Sequence, residues 1–340
     1  MINERILIVG SGSIAKRHFE IARSFKPNAE IKFLSLHGAS EIQPSLLISD
    51  KKSAVDFQPN IAIIANASSS HVEISNLLLN KGINLLIEKP ISNNLNGVYD
   101  LIEKSESKKS VMMVGYNLRF LDSLIFFKKM LDDGIVGKPL IVKSEIGHFL
   151  PNWRKEIDYK NSVSAQKKLG GGVLLELSHE IDYLDWIFGN IEWVRATISQ
   201  QSSLAIDVED SAFLTFGINH PKNHQLIATL HMDFIRHDPQ RSCLVIGENG
   251  SLKWDGMKQE VSIYEAESSL WRVIFSSGNS VADSYIEEWR DFLGSIESGK
   301  PPKIPGTDGL KVLEVVAASI ESASNGNQIL IKRRSSKESH

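Results

Sequence analysis

Cysteine is almost missing from this sequence of 340 residues, in which Cys243 stands alone. One cysteine excludes an intrachain disulfide bond and any metal centre that needs several thiolates. His231 and His237 flank Asp233, but no third ligand follows at a spacing that suits a metal ion. We therefore expect no metal site, and a chain suited to a reducing compartment.

Long apolar runs are missing as well. The run "ILIVG" after Arg5 is far shorter than a signal-peptide core, or than the roughly 20 residues that a membrane-spanning helix needs. No other part of the sequence comes closer to that length. These absences predict a cytoplasmic protein.

An excess of positive charge is the third absence. The 38 Lys and Arg residues are outnumbered by 41 Asp and Glu, which gives a net charge of −3 at pH 7. Proteins that bind nucleic acid or an anionic membrane surface need a basic face, so we expect neither partner. The chain is long enough for two domains, each with its own core.

Short apolar strands alternate with amphipathic helices through the first 120 residues. The strand segments are "RILIVG", "IKFLSL", "IAIIAN", "INLLIE" and "SVMMVGY". Strands that are apolar almost throughout are buried on both faces, as in a parallel sheet covered by helices. Residues 1–120 are therefore predicted to form a doubly wound, dinucleotide-binding Rossmann domain of the α/β class.

The rhythm changes after residue 120. A helix to about Leu131, the strand "LIVKSEIG" and a polar loop lead to a helix and then to a series of strands joined by turns. Residues 121–331 are predicted to form an α+β domain on a large, mostly antiparallel open sheet, and residues 332–340 a flexible polar tail. A sheet with one uncovered face predicts a homodimer or homotetramer.

The stretch "GSGSIA" joins the first strand to the first helix, where a dinucleotide-binding turn is expected. Gly10 permits the tight turn, and Gly12 lets the backbone approach a pyrophosphate that rests on the start of the helix. The predicted cofactor-binding residues of this turn are Gly10, Ser11, Gly12, Ser13 and Ile14. A turn that merely needs glycine is the alternative.

The end of the second strand bears on the choice of cofactor. A carboxylate there bonds the ribose hydroxyls of NAD and repels the 2′-phosphate of NADP. The segment "FLSLHGAS" has no carboxylate, and His37 or Arg17 is available to receive a phosphate. The cofactor is therefore NAD or NADP, with NADP slightly favoured.

The segment "IEKPIS" places Glu88, Lys89 and Pro90 at the end of a strand, where ligands bind in such sheets. A lysine in this position can meet a substrate hydroxyl or carbonyl. It must lose its proton to act as a base near neutral pH. A solvated surface lysine is the equally weighted alternative.

The segment "GGGVLLELSHEIDYLDWIFG" is predicted to be a helix after its three glycines. On a helical wheel one apolar face is formed by Leu177, Ile181, Leu184 and Phe188, while His179, Tyr183 and Trp186 lie opposite. Glu176 and Asp182 flank that second face. The stretch by itself favours a surface helix that presents a titratable stripe to solvent.

Six motifs, in this order and at these intervals, resemble the Gfo/Idh/MocA oxidoreductases. They are "GSGSIAKRH", "IIANASSSH", "EKPIS", "VGYNLRF", "DDGIVGKP" and "GGGVLLELSHEID". The resemblance runs from about residue 5 to "GLKVLEVVAASIESASNG". It implies enzymes that oxidise or reduce sugars, cyclitols and related hydroxy compounds with NAD(H) or NADP(H).

The resemblance also implies roles for single residues. Lys89 and His179 match the catalytic lysine and histidine of the family, with His179 lining the cleft opposite Lys89. Three residues match the segment that contacts the cofactor, namely Asn66, Ser68 and His71. Asn117 and Arg119 lie where the family binds its substrate. His18 also matches a family histidine, although we expect it to pack on its helix.

One departure from the family concerns the partner of His179. The family pattern has an aspartate four residues before the histidine, but Leu175 stands there and Glu176 is three before it. Glu176 and Asp182 are the two candidates for the carboxylate that orients the imidazole, and Glu176 is modestly preferred.

The polar loop before the glycines supplies further substrate candidates. Trp153 and Tyr159 can stack on a sugar ring, and Arg154 can bind a carboxylate or phosphate. A hydrophobic plug is the alternative role for Trp153. This loop and "LSHEIDYL", with Tyr183 as a further substrate candidate, are similar to family members of bacterial surface-sugar and amino-sugar biosynthesis.

Three functions are therefore open. The leading hypothesis is an NAD(P)-dependent dehydrogenase or reductase that acts on a sugar, amino sugar or nucleotide sugar, in surface-polysaccharide biosynthesis. The alternatives are a glycosidase that retains its cofactor and a ligand-sensing regulator without catalysis, because fold alone does not decide function.

Overall fold

The computed structural model describes residues 4–36, 42–153, 158–221, 224–267 and 269–333. The chain divides into two compact units. The first takes the chain up to Tyr116 and a later segment, Tyr285–Leu313; the second takes Asn117–Ser284 and the chain from Glu314 onward. The predicted boundary at residue 120 therefore lies four residues beyond the one in the structure, and the return of Tyr285–Leu313 to the first unit was not predicted.

The first unit is built on six parallel strands in the order β3-β2-β1-β4-β5-β6. The strands are β1 Arg5–Val9, β2 Glu30–Leu34, β3 Leu47–Ile48, β4 Ile61–Ile64, β5 Asn84–Glu88 and β6 Met112–Gly115. The helices are α1 Ser13–Phe25, α2 Lys51–Asp56, α3 His71–Leu79 and α4 Val98–Ser107. This arrangement confirms the predicted Rossmann fold. The short β3 and α2 were not predicted.

Burial explains why these segments form a parallel sheet. Every residue of β4 and β6 is buried, as are four of the five in β1 and in β5. Branched and long apolar side chains suit strands that are covered on both faces. In α1 the buried residues Ala15, His18 and Ala22 follow the helical period, so the inner face of this helix includes a histidine.

The second unit is built on nine strands in the order β14-β13-β12-β11-β7-β10-β9-β8-β15. Only β7 and β10 pair in parallel, so the predicted large and mostly antiparallel sheet is confirmed. The strands are β7 Pro139–Gly147, β8 Asn190–Ser199, β9 Ser211–His220, β10 His224–Asp233, β11 Gln240–Gly247, β12 Gly250–Asp255, β13 Glu260–Glu265, β14 Trp271–Ser276 and β15 Ile329–Leu330. The helices within this unit are α5 Asp122–Asp132, α6 Val173–Glu176 and α7 His179–Phe188.

Two long helices cross the boundary between the units. They are α8 Val281–Ser298 and α9 Gly306–Asn325. The connection between them belongs to the first unit because the backbone N–H of Val114 donates to the carbonyl of Ile304 at 3.0 Å. Gly309 lies so close to β6 that an added Cβ would approach the Val114 side chain to 2.8 Å.

The stretch around His179 is two helices rather than the single predicted one. The chain leaves the α-helix at Leu177 and Ser178, and His179 is the first residue of α7. The expected solvent-facing stripe is also wrong, because His179 and Tyr183 are buried and Trp186 is half-buried. The reason is that α7 contacts β7, β8 and β9 and also the 117–120 segment.

Within the described ranges, no helix combines the length and the apolar character that crossing a membrane requires.

Candidate functional site

The strand order of the first unit reverses between β1 and β4. Ligands of doubly wound sheets bind outside the carboxyl ends of the strands at such a reversal. Gly10 follows β1 and Asn66 lies two residues beyond β4, so the two segments with cofactor motifs flank this point.

The two glycines of the first turn have different roles. Gly10 has φ +110°, and an added Cβ would lie 2.6 Å from the carbonyl oxygen of Ala65. An added Cβ at Gly12 would meet nothing within 4 Å. Gly10 therefore allows the turn to pack on the end of β4, while Gly12 leaves open space before the start of α1.

The start of α1 suits an anionic group. No acidic residue lies in its first turn, and Gly12 provides no side-chain cap. The first backbone N–H groups of a helix have no partner within the helix and attract phosphate. Ser13 at the first helical position is exposed, and Ser11 and Ile14 are half-buried beside it.

The end of β2 shows hydroxyl groups where a carboxylate would select NAD. The hydroxyl oxygens of Ser11 and Ser35 are 3.3 Å apart. His37 lies outside the described residues. Arg17 is exposed on α1, with its guanidinium 4.8 Å from the centre of the Tyr285 ring.

The segment after β4 contains one orphaned polar atom. The side-chain oxygen Oδ1 of Asn66 is buried and has no hydrogen-bond partner among the described residues. Ser68 is buried two residues later. A ligand hydroxyl or amide at this point would satisfy the Asn66 oxygen, because buried polar groups are almost always paired.

His71, which was predicted to contact the cofactor, faces two backbone carbonyl groups. It is buried, with Nδ1 3.0 Å from the carbonyl oxygen of Pro90 and Nε2 3.0 Å from that of Asn66. Burial lowers the pKa of His71, followed by smaller opposing effects of the two carbonyls and Glu88. Both ring nitrogens of His71 therefore face carbonyl oxygens of the protein, and its contact with a cofactor stays a prediction.

The end of β5 carries Lys89 between two residues of the turn, Glu88 and Pro90, while Lys89 itself is half-buried. The peptide bond between Lys89 and Pro90 is cis. Glu88 Oε1 lies 2.8 Å from His18 Nε2. The indole Nε1–H of Trp289 donates to His18 Nδ1 at 2.8 Å.

This chain of contacts fixes the tautomer of His18. Because an indole N–H can only donate, His18 Nδ1 must accept, and the imidazole proton lies on Nε2. His18 therefore donates to Glu88. The sequence analysis expected His18 to pack on its helix, and its place on the buried face of α1 agrees with that expectation; the bond from His18 to Glu88 was not predicted.

A second carboxyl group lies buried in the same unit and was missed by the sequence analysis. Glu288 has no exposed surface, and neither carboxyl oxygen has a hydrogen-bond partner among the described residues. Burial raises the pKa of Glu288, and the charges of Glu88 and Asp291 raise it further. The neighbouring phenol of Tyr285 also has a raised pKa, mainly through burial and then through Glu88 and Glu288.

In the second unit, His179 is 9% exposed at the start of α7. The two candidate carboxylates near it have different surroundings. Glu176 accepts a hydrogen bond from the Ser164 hydroxyl at 2.7 Å. Asp182 receives two from Arg119, at 3.0 Å from Nε and 2.7 Å from Nη2, with both side chains buried.

These contacts bear on two of the predicted substrate residues. Arg119 is held in a bidentate ion pair, a geometry that gives strong and directional bonding. Asn117 is buried and donates to the hydroxyl of Ser284 at 2.7 Å. Both side chains are thus bonded inside the second unit.

Tyr183, another predicted substrate residue, is fully buried beside α7. Its hydroxyl bonds that of Ser144 at 2.5 Å, and burial raises its pKa well above the ordinary value, with Cys243 and Glu180 adding to the shift. The Tyr183 hydroxyl is therefore bonded within the second unit, and its contact with a substrate stays a prediction. The buried Glu180, which was not predicted, forms an ion pair at 2.8 Å with Arg241, which is half-buried.

The loop before the glycines places its aromatic residues in different surroundings. Trp153 packs edge-on against Phe234, with ring centres 5.2 Å apart, and its Nε1 is buried without a partner among the described residues. This favours the hydrophobic plug. The Tyr159 hydroxyl accepts from the N–H of Ala205 at 3.3 Å. Arg154 lies outside the described residues.

Two of the three glycines have a structural explanation. An added Cβ at Gly171 would lie 2.4 Å from the carbonyl oxygen of Val163, and one at Gly172 would lie 2.2 Å from the carboxylate of Glu209. Glu209 accepts from the N–H of Leu174 at 3.2 Å, and burial raises its pKa. Glu209 thus holds the start of α6 and is a residue that the sequence analysis missed.

Within the part of the chain that the structure describes, no three His, Cys, Asp or Glu side chains are grouped to hold a metal ion.

A Rossmann unit with open space before the start of its first helix, at the strand-order reversal, is the arrangement of a dinucleotide-binding domain. Family models agree: residues 4–116 match "Oxidoreductase family, NAD-binding Rossmann fold" and residues 128–331 match "Oxidoreductase family, C-terminal alpha/beta domain". The chain belongs to the Gfo/Idh/MocA oxidoreductase family. The predicted family and enzyme class are confirmed.

Individual relatives are distant but match most of the chain. Myo-inositol 2-dehydrogenase of Thermotoga maritima is 23% identical over 265 residues, 75% of each chain. Inositol 2-dehydrogenase/D-chiro-inositol 3-dehydrogenase of Lacticaseibacillus casei is 22% identical over 341 residues, 96% of this chain and 94% of the relative.

Solved structures share the fold over almost the whole chain. Levoglucosan dehydrogenase in complex with NADH has a TM-score of 0.83 at 19% identity, and covers 98% of this chain and 100% of its own. The WlbA dehydrogenase from Bordetella pertussis, in complex with NADH and UDP-GlcNAcA, has a TM-score of 0.80 at 18% identity, with 98% and 100% covered.

Proposed function

We propose that this protein transfers a hydride between a nicotinamide dinucleotide and a secondary alcohol or ketone of a sugar or cyclitol. The observation that carries the proposal is the open space at Gly12, before a helix start without acidic residues, at the strand-order reversal of a Rossmann unit. Relatives named as inositol and levoglucosan dehydrogenases support a polyhydroxylated substrate.

The residues of the first unit fit the cofactor. The turn from Gly10 to Ile14 would hold the pyrophosphate through backbone N–H groups, and the orphaned oxygen of Asn66 would bond a polar group of the cofactor. When bound, the nicotinamide supplies or accepts the hydride. The protein positions the reacting carbon and manages the proton of the substrate oxygen.

Lys89 and His179 are the residues that we propose for that proton. A lysine at the end of β5 acts as a base only in its neutral form, and an imidazole shares this function near neutral pH. We propose Glu176 as the carboxylate that orients His179, because both oxygens of Asp182 already accept bonds from Arg119.

We further propose that the protein accepts both NAD and NADP, with NADP slightly favoured. The described end of β2, at Ser35 and Leu36, has hydroxyl and apolar groups where a carboxylate would repel the 2′-phosphate. The relatives solved with NADH support NAD as a cofactor for this fold.

A second copy of the chain is the partner that we propose for the open sheet of the second unit. Its exposed face carries apolar side chains on several strands, among them Ile141 on β7, Phe213 on β9 and Trp271 on β14. Lys143, Glu145, Arg195 and Lys253 lie on the same face. Charges of both signs allow a self-complementary interface, and a large exposed apolar patch marks a contact surface.

A reaction with no net oxidation is the second candidate. One relative, of Mediterraneibacter gnavus, is named 2,7-anhydro-N-acetylneuraminate hydratase and is 24% identical over 197 residues, 57% of this chain and 50% of the relative. An activity of this type, like the cofactor-retaining glycosidase, changes the sugar while the amount of reduced cofactor stays constant.

The test is a panel assay on the purified chain. Myo-inositol, levoglucosan and UDP-GlcNAcA are each incubated with NAD⁺ or NADP⁺, while the absorbance of the reduced nicotinamide and the sugar products are followed. We expect reduced cofactor to accumulate with at least one sugar. A changed sugar without reduced cofactor supports the second candidate. A chain that binds neither cofactor overturns both.

A further inference from the structure

Lys89 lies between two residues that are each held by a buried histidine. Glu88 on one side bonds His18 through its carboxylate, and Pro90 on the other bonds His71 through its carbonyl. Both histidines belong to the first unit, and neither imidazole is more than 1% exposed. Neither can therefore touch a substrate directly.

The contact on the Glu88 side is directional. Trp289 donates to His18 Nδ1, so His18 must present its N–H to Glu88. The Oε2 atom of Glu88 in turn lies 3.3 Å from the backbone N of Lys89. An added Cβ at Gly115 would approach the same oxygen to 3.3 Å, so the carboxylate is packed as well as bonded.

The contact on the Pro90 side is made by His71, whose two ring nitrogens each face a carbonyl oxygen. His71 Nδ1 faces Pro90 and Nε2 faces Asn66, each at 3.0 Å. A neutral imidazole has one N–H and can donate to one carbonyl only, and the inference assigns that N–H to Nδ1, which faces Pro90. The same ring thus connects the turn that carries Lys89 with the segment proposed to bind the cofactor.

We infer that His18 and His71 are positioning residues that fix the backbone on both sides of Lys89 and so aim its amine. The inference rests on the proton-transfer role proposed for Lys89. Misplacement of a reacting group by about 1 Å costs on the order of a hundredfold in rate, so such support is worth building into a fold. Nothing in the inference depends on which sugar is the substrate.

The first test needs no substrate. Acetic anhydride labels neutral lysine amines, and peptide mass spectrometry of the full chain gives the labelling rate of Lys89 against pH, relative to the exposed Lys129. Trp289→Phe removes the donor to His18 and keeps a ring in place. Trp254→Phe is the matched control, because this equally buried tryptophan of the second unit loses a similar bond, to Ser123 at 3.0 Å.

His71 offers a second pair of variants. The amide of His71→Asn stands near the position of Nδ1 and can still donate to Pro90, whereas that of His71→Gln stands near Nε2 and serves Asn66. We expect Trp289→Phe and His71→Gln to change the labelling profile of Lys89 by about threefold or more, a difference of at least roughly 0.6 kcal/mol. We expect Trp254→Phe and His71→Asn to leave it unchanged.

Unchanged labelling of Lys89 in both Trp289→Phe and His71→Gln overturns the inference, as does an equal change in Trp254→Phe. If labelling of Lys89 changes only in Trp289→Phe, the role of His71 is overturned. If it changes only in His71→Gln, the role of His18 is overturned. Activity is a separate test: any sugar oxidised in the panel should show a lower kcat in Trp289→Phe and in His71→Gln than in the parent, and neither change should lower kcat further in a protein that already carries Lys89→Met. Full activity of Lys89→Met would refute the proposed role of Lys89, while the labelling result would still report on the two histidines.

Discussion

At the scale of single residues, the contacts of buried ionisable side chains are the feature that could least be predicted from the sequence. Glycine turns, Lys89 and His179 could be located from motifs, because each motif is local. The partners could not, since Trp289 and His18 are 271 residues apart and Arg119 and Asp182 are 63 apart. In a helical pattern a glutamate such as Glu288 is assigned to the surface. The spacing of apolar residues shows which face of a helix is apolar, but it does not show what packs against the other faces.

Glu288 gives a prediction about stability and pH. Its folded-state pKa is raised, so the folded protein keeps this proton at pH values where the unfolded chain has lost it. The carboxyl group therefore destabilises the fold increasingly as the pH rises above its ordinary pKa near 4.3. Glu288→Gln should raise the free energy of unfolding by about 1 kcal/mol or more at pH 8, and by less at pH 5.

Denaturant titrations of both proteins at the two pH values check this prediction. Asp132→Asn, on an exposed side chain of α5, serves as the control and should show a much smaller dependence on pH. A Glu288→Gln protein that is less stable than the parent at pH 8 would mean that the carboxylate has a favourable partner.

The two proposed acid–base residues give a prediction about turnover. Removal of a general acid or base typically lowers the rate by about 10² to 10⁴. Lys89→Met and His179→Ala should each reduce kcat by such a factor on the sugar identified in the panel, while the dissociation constant for the cofactor stays nearly constant. Steady-state kinetics measures kcat, and calorimetry measures the dissociation constant for the cofactor. A variant with full turnover would show that its residue has no part in the mechanism.

At the scale of secondary structure elements, the sequence predicts best where burial is strongest. The apolar strands and the amphipathic helices were found, whereas the two-residue strands β3 and β15 and the partly exposed β14 were not. The break between α6 and α7 was missed because Leu177 remains buried through the turn, so the apolar period continues across it. Periodicity reports which side is buried and not whether the backbone stays helical.

The turn between β1 and α1 allows a paired prediction. Gly12→Val fills space in which an added Cβ meets no atom, so the protein should fold normally and lose cofactor binding. Gly10→Val would place a Cβ against the backbone of Ala65, and Gly10 has a positive φ that valine rarely adopts. This variant should therefore have a lower thermal stability than the parent. Calorimetry with NAD⁺ and NADP⁺ and thermal unfolding separate the two effects; unchanged affinity in a folded Gly12→Val protein contradicts the assignment.

At the scale of the whole molecule, the chain forms two units that are not consecutive in sequence. The fold class was predictable because alternating strands and helices are a sequence-wide pattern. The return of Tyr285–Leu313 to the first unit was not, because contacts such as the bond from Val114 to Ile304 leave no local mark in the sequence.

The open sheet of the second unit predicts how many copies associate. Phe213 is 54% exposed on β9 and lies on the face proposed to meet a second copy. Phe213→Asp would place a charge in that interface, so the mass measured by light scattering should fall toward that of one chain of 37.9 kDa. Ile320→Asp, at an exposed apolar residue of α9, is the control and should keep the parent mass. A parent protein that is already monomeric refutes the proposed interface.

The most direct measurement of the central claim follows the hydride itself. Myo-inositol or levoglucosan deuterated on its ring carbons is incubated with the protein and NAD⁺ or NADP⁺, and the reduced nicotinamide is isolated and weighed by mass spectrometry. The account predicts reduced cofactor that carries one deuterium from a C–D bond of the sugar. A folded protein that binds the cofactor, converts either sugar and leaves all of the deuterium in the sugar product would contradict it.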